Sequence, residues 1–146
     1  MKDLVLKLDG VSVELQNMRL GSDGAIVCTV FVRFHEDTGA HIPARDYHFS
    51  RADILRMTTY LRSHIGANVP HDIEDSPIFV ADGVDIQLEA LCGEAMSWDD
   101  GSFALRCMLY CGPPDRHRNH YYLGIESEVG VAEVLRWCGE LESLAV

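Results

Sequence analysis

Five side chains able to bind a metal fall within one short segment: Cys107, Cys111, Asp115, His117 and His120, spaced C-x3-C-x5-H-x2-H. Thiolates and imidazoles in sets of four are the ligands of tetrahedral zinc, with sulfur about 2.3 Å from the ion. The local pattern argues against the full set. Ser102 to Cys111 alternates as a strand, and strand residues four apart lie about 13 Å from each other, too far to share one ion. Asp115, His117 and His120, with His41 from another polar loop, support only the alternative reading of a small-ligand or metal-binding protein, and no metal site is assigned. Asp46 and His48 form a second titratable pair. With one residue between them on a strand they share a face, and a structural hydrogen bond is expected there rather than acid/base catalysis. The chain has no nucleophile elbow, phosphate loop, zinc-protease helix or dinucleotide fingerprint. No catalytic residue and no cofactor are assigned, and the protein is expected not to be an enzyme.

Charge offers a different kind of chemistry. Among 146 residues, 12 Lys and Arg stand against 23 Asp and Glu, giving a formal charge of −11. This argues against nucleic-acid binding, whose affinity comes mainly from neutralising phosphates. Between Arg62 and Arg106 there is no Lys or Arg, while Asp72, Glu74, Asp75, Asp82, Asp85, Glu89, Glu94, Asp99 and Asp100 all lie in that stretch. Complementary potentials steer encounters and add specificity, so a basic protein partner is expected. The candidate partner-binding residues are Asp72, Glu74, Asp75, Glu94, Asp99 and Asp100, with Trp98 as an aromatic anchor in the acidic loop.

The elements that must position these residues come as a repeated order. Asp9-Gly10-Val11-Ser12-Val13-Glu14-Leu15 matches Asp82-Gly83-Val84-Asp85-Ile86-Gln87-Leu88 at an offset of 73. Asp23-Gly24 with the apolar run after it matches Asp100-Gly101 with Ser102 to Cys111, at 77, and Ala52-Asp53-Ile54-Leu55-Arg56 matches Ala132-Glu133-Val134-Leu135-Arg136, at 80. Alternation around Asp9-Gly10 predicts a hairpin of Leu4 to Leu8 with Val11 to Leu15, and around Asp82-Gly83 a second, of Phe79 to Ala81 with Val84 to Leu88. Longer strands follow over Ala25 to His35 and Ser102 to Cys111, then short ones over Arg45 to Phe49 and His120 to Ile125.

The period then changes to that of a helix. Ser50 with Asp53 opens one whose stripe is Ile54, Met57, Leu61 and Ile65, ending at Gly66. Ser127 is expected to cap the other, which carries Val131, Val134, Leu135, Cys138 and Leu141 inward. The prediction is an α+β fold of about eight mainly antiparallel strands and two helices, built as a duplicated β-β-β-β-α unit. Residues 1–66 and 77–146 are the two copies, joined by an acidic loop. A half of about 73 residues is marginal on its own, so one domain spanning 1–146 with a shared core is expected. The polar loops Glu36 to His41 and Asp115 to His120 become candidate contact edges, and an exposed strand edge makes a homodimer a further expectation.

With 47% hydrophobic and 24% charged residues the composition is that of a globule. Charges at Lys2, Asp3 and Lys7 interrupt the start, and no stretch reaches the roughly 20 apolar residues of a membrane span. Five scattered cysteines, an odd number, read as reduced core thiols and predict a cytoplasmic protein that contacts no membrane.

The second half resembles bacterial immunity proteins of the WapI-like type. The residues that carry the likeness are Ala81 to Leu88, Gly101 to Cys111, and the run His120-Tyr121-Tyr122-Leu123-Gly124-Ile125-Glu126-Ser127 leading into Val134-Leu135-Arg136-Trp137, about 65 residues in all. What is similar is the pattern of a long alternating strand, a polar bend with proline (here Gly112-Pro113-Pro114), a short strand and a terminal amphipathic helix. The resemblance implies a cytosolic, non-enzymatic inhibitor of a toxin domain, for which acidity suits a basic nuclease target. It transfers no binding residues.

Overall fold

The computed structural model describes residues 1–66, 68–81, 85–113 and 121–146. Asp9-Gly10 forms the expected two-residue turn. Gly10 has φ 74°, a value that costs a residue with a Cβ roughly 1–2 kcal/mol. The turn sets Leu8 opposite Val11, joining β1 (Leu4–Leu8) to β2 (Val11–Leu20). β3 (Ile26–Phe34) and β4 (Arg45–Phe49) complete an antiparallel meander in the order β1-β2-β3-β4. Alternation puts Leu6, Val13, Val30 and Tyr47 on its inner face. α1 (Arg51–Ile65) begins as predicted: the Asp53 N–H donates to Ser50 Oγ at 3.0 Å, and the Ser50 hydroxyl donates to Asp53 Oδ2 at 2.7 Å. Ile54, Met57, Leu61 and Ile65 are its buried stripe, and the Gly66 N–H closes the last turn on the Arg62 carbonyl.

The second sheet is built on β7 (Ile86–Ser97), β8 (Asp100–Tyr110) and β9 (Tyr122–Gly130), followed by α2 (Val131–Leu144). Two short strands, β5 (His71–Ile73) and β6 (Phe79–Val80), both pair with β7. The described residues therefore form an α+β fold of two helices and nine antiparallel strands in two sheets.

Three expectations change. The linker over 66 to 77 is not all loop, since it contains β5, with Asp72 opposite Glu94; the long edge of β7 offers N–H and C=O groups that need partners. This adds the ninth strand. In the second hairpin a two-residue turn at Asp82-Gly83 would face Phe79 with Ile86, but Phe79 faces Leu88; residues 82–84 lie outside the described residues. Ser127 does not cap α2. β8 is long enough to pair with β9 as far as Gly130, so Ser127 lies within the strand and donates its hydroxyl to the Asp9 carbonyl at 2.6 Å. α2 starts after Gly130 with no side-chain cap, and its buried stripe includes Trp137, while Leu135 is half-buried.

Both inner faces and both helices contribute to one apolar cluster. α1 packs on α2 and touches β7, while α2 packs on β1, β8 and β9. Polar seams close the joins. The Asp9 N–H donates to the Glu128 carbonyl at 2.8 Å, the buried Tyr47 hydroxyl donates to the Tyr110 carbonyl at 2.8 Å, and Arg45 donates to the Gly112 carbonyl at 2.9 Å. Arg62 bonds both oxygens of Glu142, tying α1 to α2, and Arg136 spans Glu133, Glu140 and the Val5 carbonyl, tying α2 to β1.

β7 bulges between Ala90 and Gly93. A Cβ at Gly93 would lie 2.1 Å from the Ser102 carbonyl oxygen and 2.5 Å from Phe103 Cα, both backbone atoms that cannot swing away. Gly93→Ala is expected to lower stability by about 1–3 kcal/mol, read as a lower urea midpoint at unchanged slope.

Candidate protein-docking face

Among the described residues the helices pack on the inner side of the sheets, and the outer faces stay open. On the outer face of the second sheet, β5 contributes Asp72, β7 contributes Glu89 and Glu94, β8 contributes Ser102 and Arg106, and β9 contributes Glu126 and Glu128. Asp72 stands opposite Glu94, and Glu94 opposite Ser102. Like charges directly opposite each other across strands are destabilising. Arg106 lies between Glu89 and Glu126 and donates to both at 3.0 and 2.6 Å. Its hydrogen bonds to Glu126 raise its affinity for its proton. Glu128 accepts the Ser102 hydroxyl. Among the described residues, no Lys, Arg or His pairs with Asp72, Glu94 or Glu128. Cys92, Gly93, Ala104 and Glu128 line a shallow groove over the bulge.

The first sheet's outer face is different. Glu14 pairs with Arg33 at 2.8 Å, and Asp46 accepts from Arg19 and Thr29, each at 2.7 Å. Those bonds, Arg19 first, hold Asp46 below the usual carboxylate range. The expected Asp46–His48 hydrogen bond does not form, because Arg19 and Thr29 take the carboxylate.

The predicted contact residues divide into three places. Asp72 and Glu94 are neighbours on the acidic face. Glu74 and Asp75 are exposed on the loop between β5 and β6, and Asp99 and Asp100 are exposed at the tip between β7 and β8. Trp98, at the same tip, is 51% exposed and lines a groove with Arg62, Ser63, Gly66 and Leu135 at the ends of the helices. Sequence reasoning missed Glu126 and Glu128. Their alternation with buried Ile125 and Val129 was the available signal, hidden by placing the strand's end too early.

Other reactive groups are committed to structure. Burial pushes the Cys28 and Cys107 thiols up to about 12 and Cys138 to about 11, which suits inert core sulfur. Cys92 departs from the expected core placement and is exposed on the outer face, and Cys111 is half-buried. His64, buried near Ser76, was not singled out by spacing. Among the described residues no group of three or more His, Cys, Asp or Glu is placed to hold a metal; His41 is exposed, and His117 and His120 lie outside the described residues, as does the loop from Asp115 to His120. No described helix is long and apolar enough to cross a membrane. Comparison with protein-family models and with curated proteins gives no match to this chain.

Among the described residues, Arg106 is the cation within this carboxylate array. Arg106→Gln is expected to lower the melting temperature in dilute buffer, with much of the loss recovered at high salt, because salt screens the exposed repulsion that remains. Thermal melts of both proteins across a salt series measure this.

Proposed function

We propose that this chain is a non-enzymatic protein-binding module that docks a basic protein on the outer face of its second sheet, most concretely as an immunity-type inhibitor of a bacterial toxin. The carrying observation is the charge of that face: Asp72, Glu89, Glu94, Glu126 and Glu128 against Arg106. The first sheet neutralises Glu14 and Asp46 within its own face. A partner's Lys or Arg side chains would relieve the Asp72–Glu94 repulsion and speed encounter. Trp98, at the β7–β8 tip beside Leu135, lies off that face and would be met only by a partner that reaches round to the helix ends. The likeness of residues 81–146 to WapI-like immunity proteins supports a toxin as the partner class.

We infer also that the two sheets are copies of one β-β-β-β-α unit. Strand register supports this. Leu15 faces Val30 in the first sheet, and the residues 73 and 77 positions further on, Leu88 and Cys107, face each other in the second. Cys28 faces Tyr47, and the residues 77 and 80 positions on, Leu105 and Ser127, are likewise partners. These are the offsets of the sequence match. Each long hairpin also bulges on its earlier strand, after Gln16 in β2 and after Ala90 in β7. The correspondence sets the outer row Gln16, Thr29 and Asp46 against Glu89, Arg106 and Glu126, so the acidic face belongs to one copy.

The test is recovery of partners from the native host, followed by calorimetry with the purified partner in low and high salt. A basic protein is expected, bound more weakly as salt rises. Glu94→Lys with Glu128→Lys should weaken binding at least about tenfold, with most of the change in association rate and salt dependence. Gln16→Lys, on the other sheet, should leave it unchanged. Binding indifferent to the double charge reversal overturns the docking face; a partner whose toxicity is not suppressed overturns the immunity role.

A further inference from the structure

The edge of β7 is not paired along its whole length. β5 covers Gly93 to Ala95 and β6 covers Gln87 and Leu88, leaving Ala90 and Leu91 in a gap. Backbone groups in such a gap must find partners elsewhere. α1 and the loop over 74–78 provide them. The Ser76 N–H donates to the Ala90 carbonyl at 2.9 Å, the Ala90 N–H donates to the Tyr60 hydroxyl at 2.9 Å, and the Tyr60 hydroxyl donates to the Pro77 carbonyl at 2.6 Å. His64 Nε2 lies 2.8 Å from the Leu91 carbonyl. A carbonyl only accepts, so Nε2 carries a proton; in the neutral ring, which burial favours, Nδ1 keeps a lone pair that accepts the Ser76 hydroxyl at 2.7 Å. His64 is 6% exposed and its ring sits edge-on to Phe103, centroids 4.6 Å apart.

We propose that His64 is an acid-releasable latch: neutral, it ties the end of α1 to both β7 and the loop over 74–78, and its protonation frees that loop and opens the β7 edge at Ala90 and Leu91. A proton taken from solvent onto Nδ1 turns the acceptor into a donor. The Ser76 hydroxyl, which donated to Nδ1, must then turn to accept from it and leave its own proton without that acceptor, and a cation is left against Phe103 away from water. Burial holds His64 below its ordinary value, against the Leu91 carbonyl bond and the charge of Asp75, which both favour the cation. Asp75 is the charged group acting on the ring from the loop. β7 presents the Leu91 carbonyl and β8 the Phe103 ring, neither of which titrates. On the same helix Tyr60 is pushed up by burial and stays neutral, and Arg62 is paired with Glu142.

The sign follows from proton counting. With its folded value below the unfolded one of about 6.5, the folded form binds fewer protons in that window. The latch is fully stabilising above about pH 6.5 and weakens as pH falls through the folded value. What opens is an unpaired strand edge, a surface on which another strand can pair. The inference is independent of the docking face.

Amide hydrogen exchange at Ser76 and Ala90, corrected for intrinsic rates and followed from about pH 8 to about pH 5, tests it. The local opening constant should rise by up to about tenfold per pH unit below about 6.5. His64→Gln, which stays neutral and can donate to the Leu91 carbonyl, should abolish the rise. His71→Gln should keep it; His71 is the nearby control because its buried Nδ1 has no hydrogen-bond partner among the described residues. A wild type without the rise, a rise that survives in His64→Gln, or one lost in His71→Gln overturns the latch. Should His64→Gln fail to fold, the wild-type imidazole titration decides: His64 and the Ser76 amide must share one midpoint, and separate midpoints overturn the proposal.

Discussion

A single sheet with one apolar face and one helix buries too little to stand alone, and everything else in this molecule depends on how the two sheets and the two helices share one core. Their inner faces and both helix stripes enter a single cluster, in which Leu61, Ile65, Val131, Val134 and Cys138 are completely buried. The seams are polar because the sheets meet at strand edges. Asp9 with Glu128 and Ser127, and Tyr47 with Tyr110, pair backbone groups that would otherwise be stranded at the core's margin.

Turning both apolar faces inward leaves both outer faces to solvent, and this frees their charge from the demands of folding. Exposed ion pairs contribute only about 0.2–1 kcal/mol each. Either face could be balanced or one-signed at small cost to the fold. The first sheet is balanced, with Arg33 on Glu14 and Arg19 on Asp46. The second keeps Asp72 opposite Glu94 and gathers Glu126 and Glu128 beside them. The proposed docking role rests on that difference in charge balance between the two outer faces.

The length of β7 shapes the rest of the second sheet. Twelve residues of edge exceed what β6 alone can pair, so the chain leaving α1 is drawn in as β5, and the interval between them is filled by side chains of α1. Tyr60 and His64 serve the backbone there. The nearness of Ser76 to His64 resembles a nucleophile and its base, but the Leu91 carbonyl and the Ala90 N–H account for the polar groups of that cluster as an edge closure.

Much of the local structure was legible in the chain. The Asp9-Gly10 turn, β4 over Arg45 to Phe49, the Ser50 cap and the Ile54, Met57, Leu61, Ile65 stripe depend on residues within one turn or one strand of each other. Turn geometry, capping and amphipathic period act over that range. The acidity and the stretch free of Lys and Arg were legible too. Tertiary structure alone decided that β5 exists, that Ser127 lies in a strand, that Asp72 faces Glu94 while Glu126 and Glu128 join them, and that His64 reaches Leu91. Each of these depends on which strand edge meets which segment. Strand pairing is made by backbone N–H and C=O groups that nearly every residue carries alike, so side-chain order specifies the strands far better than it specifies their neighbours.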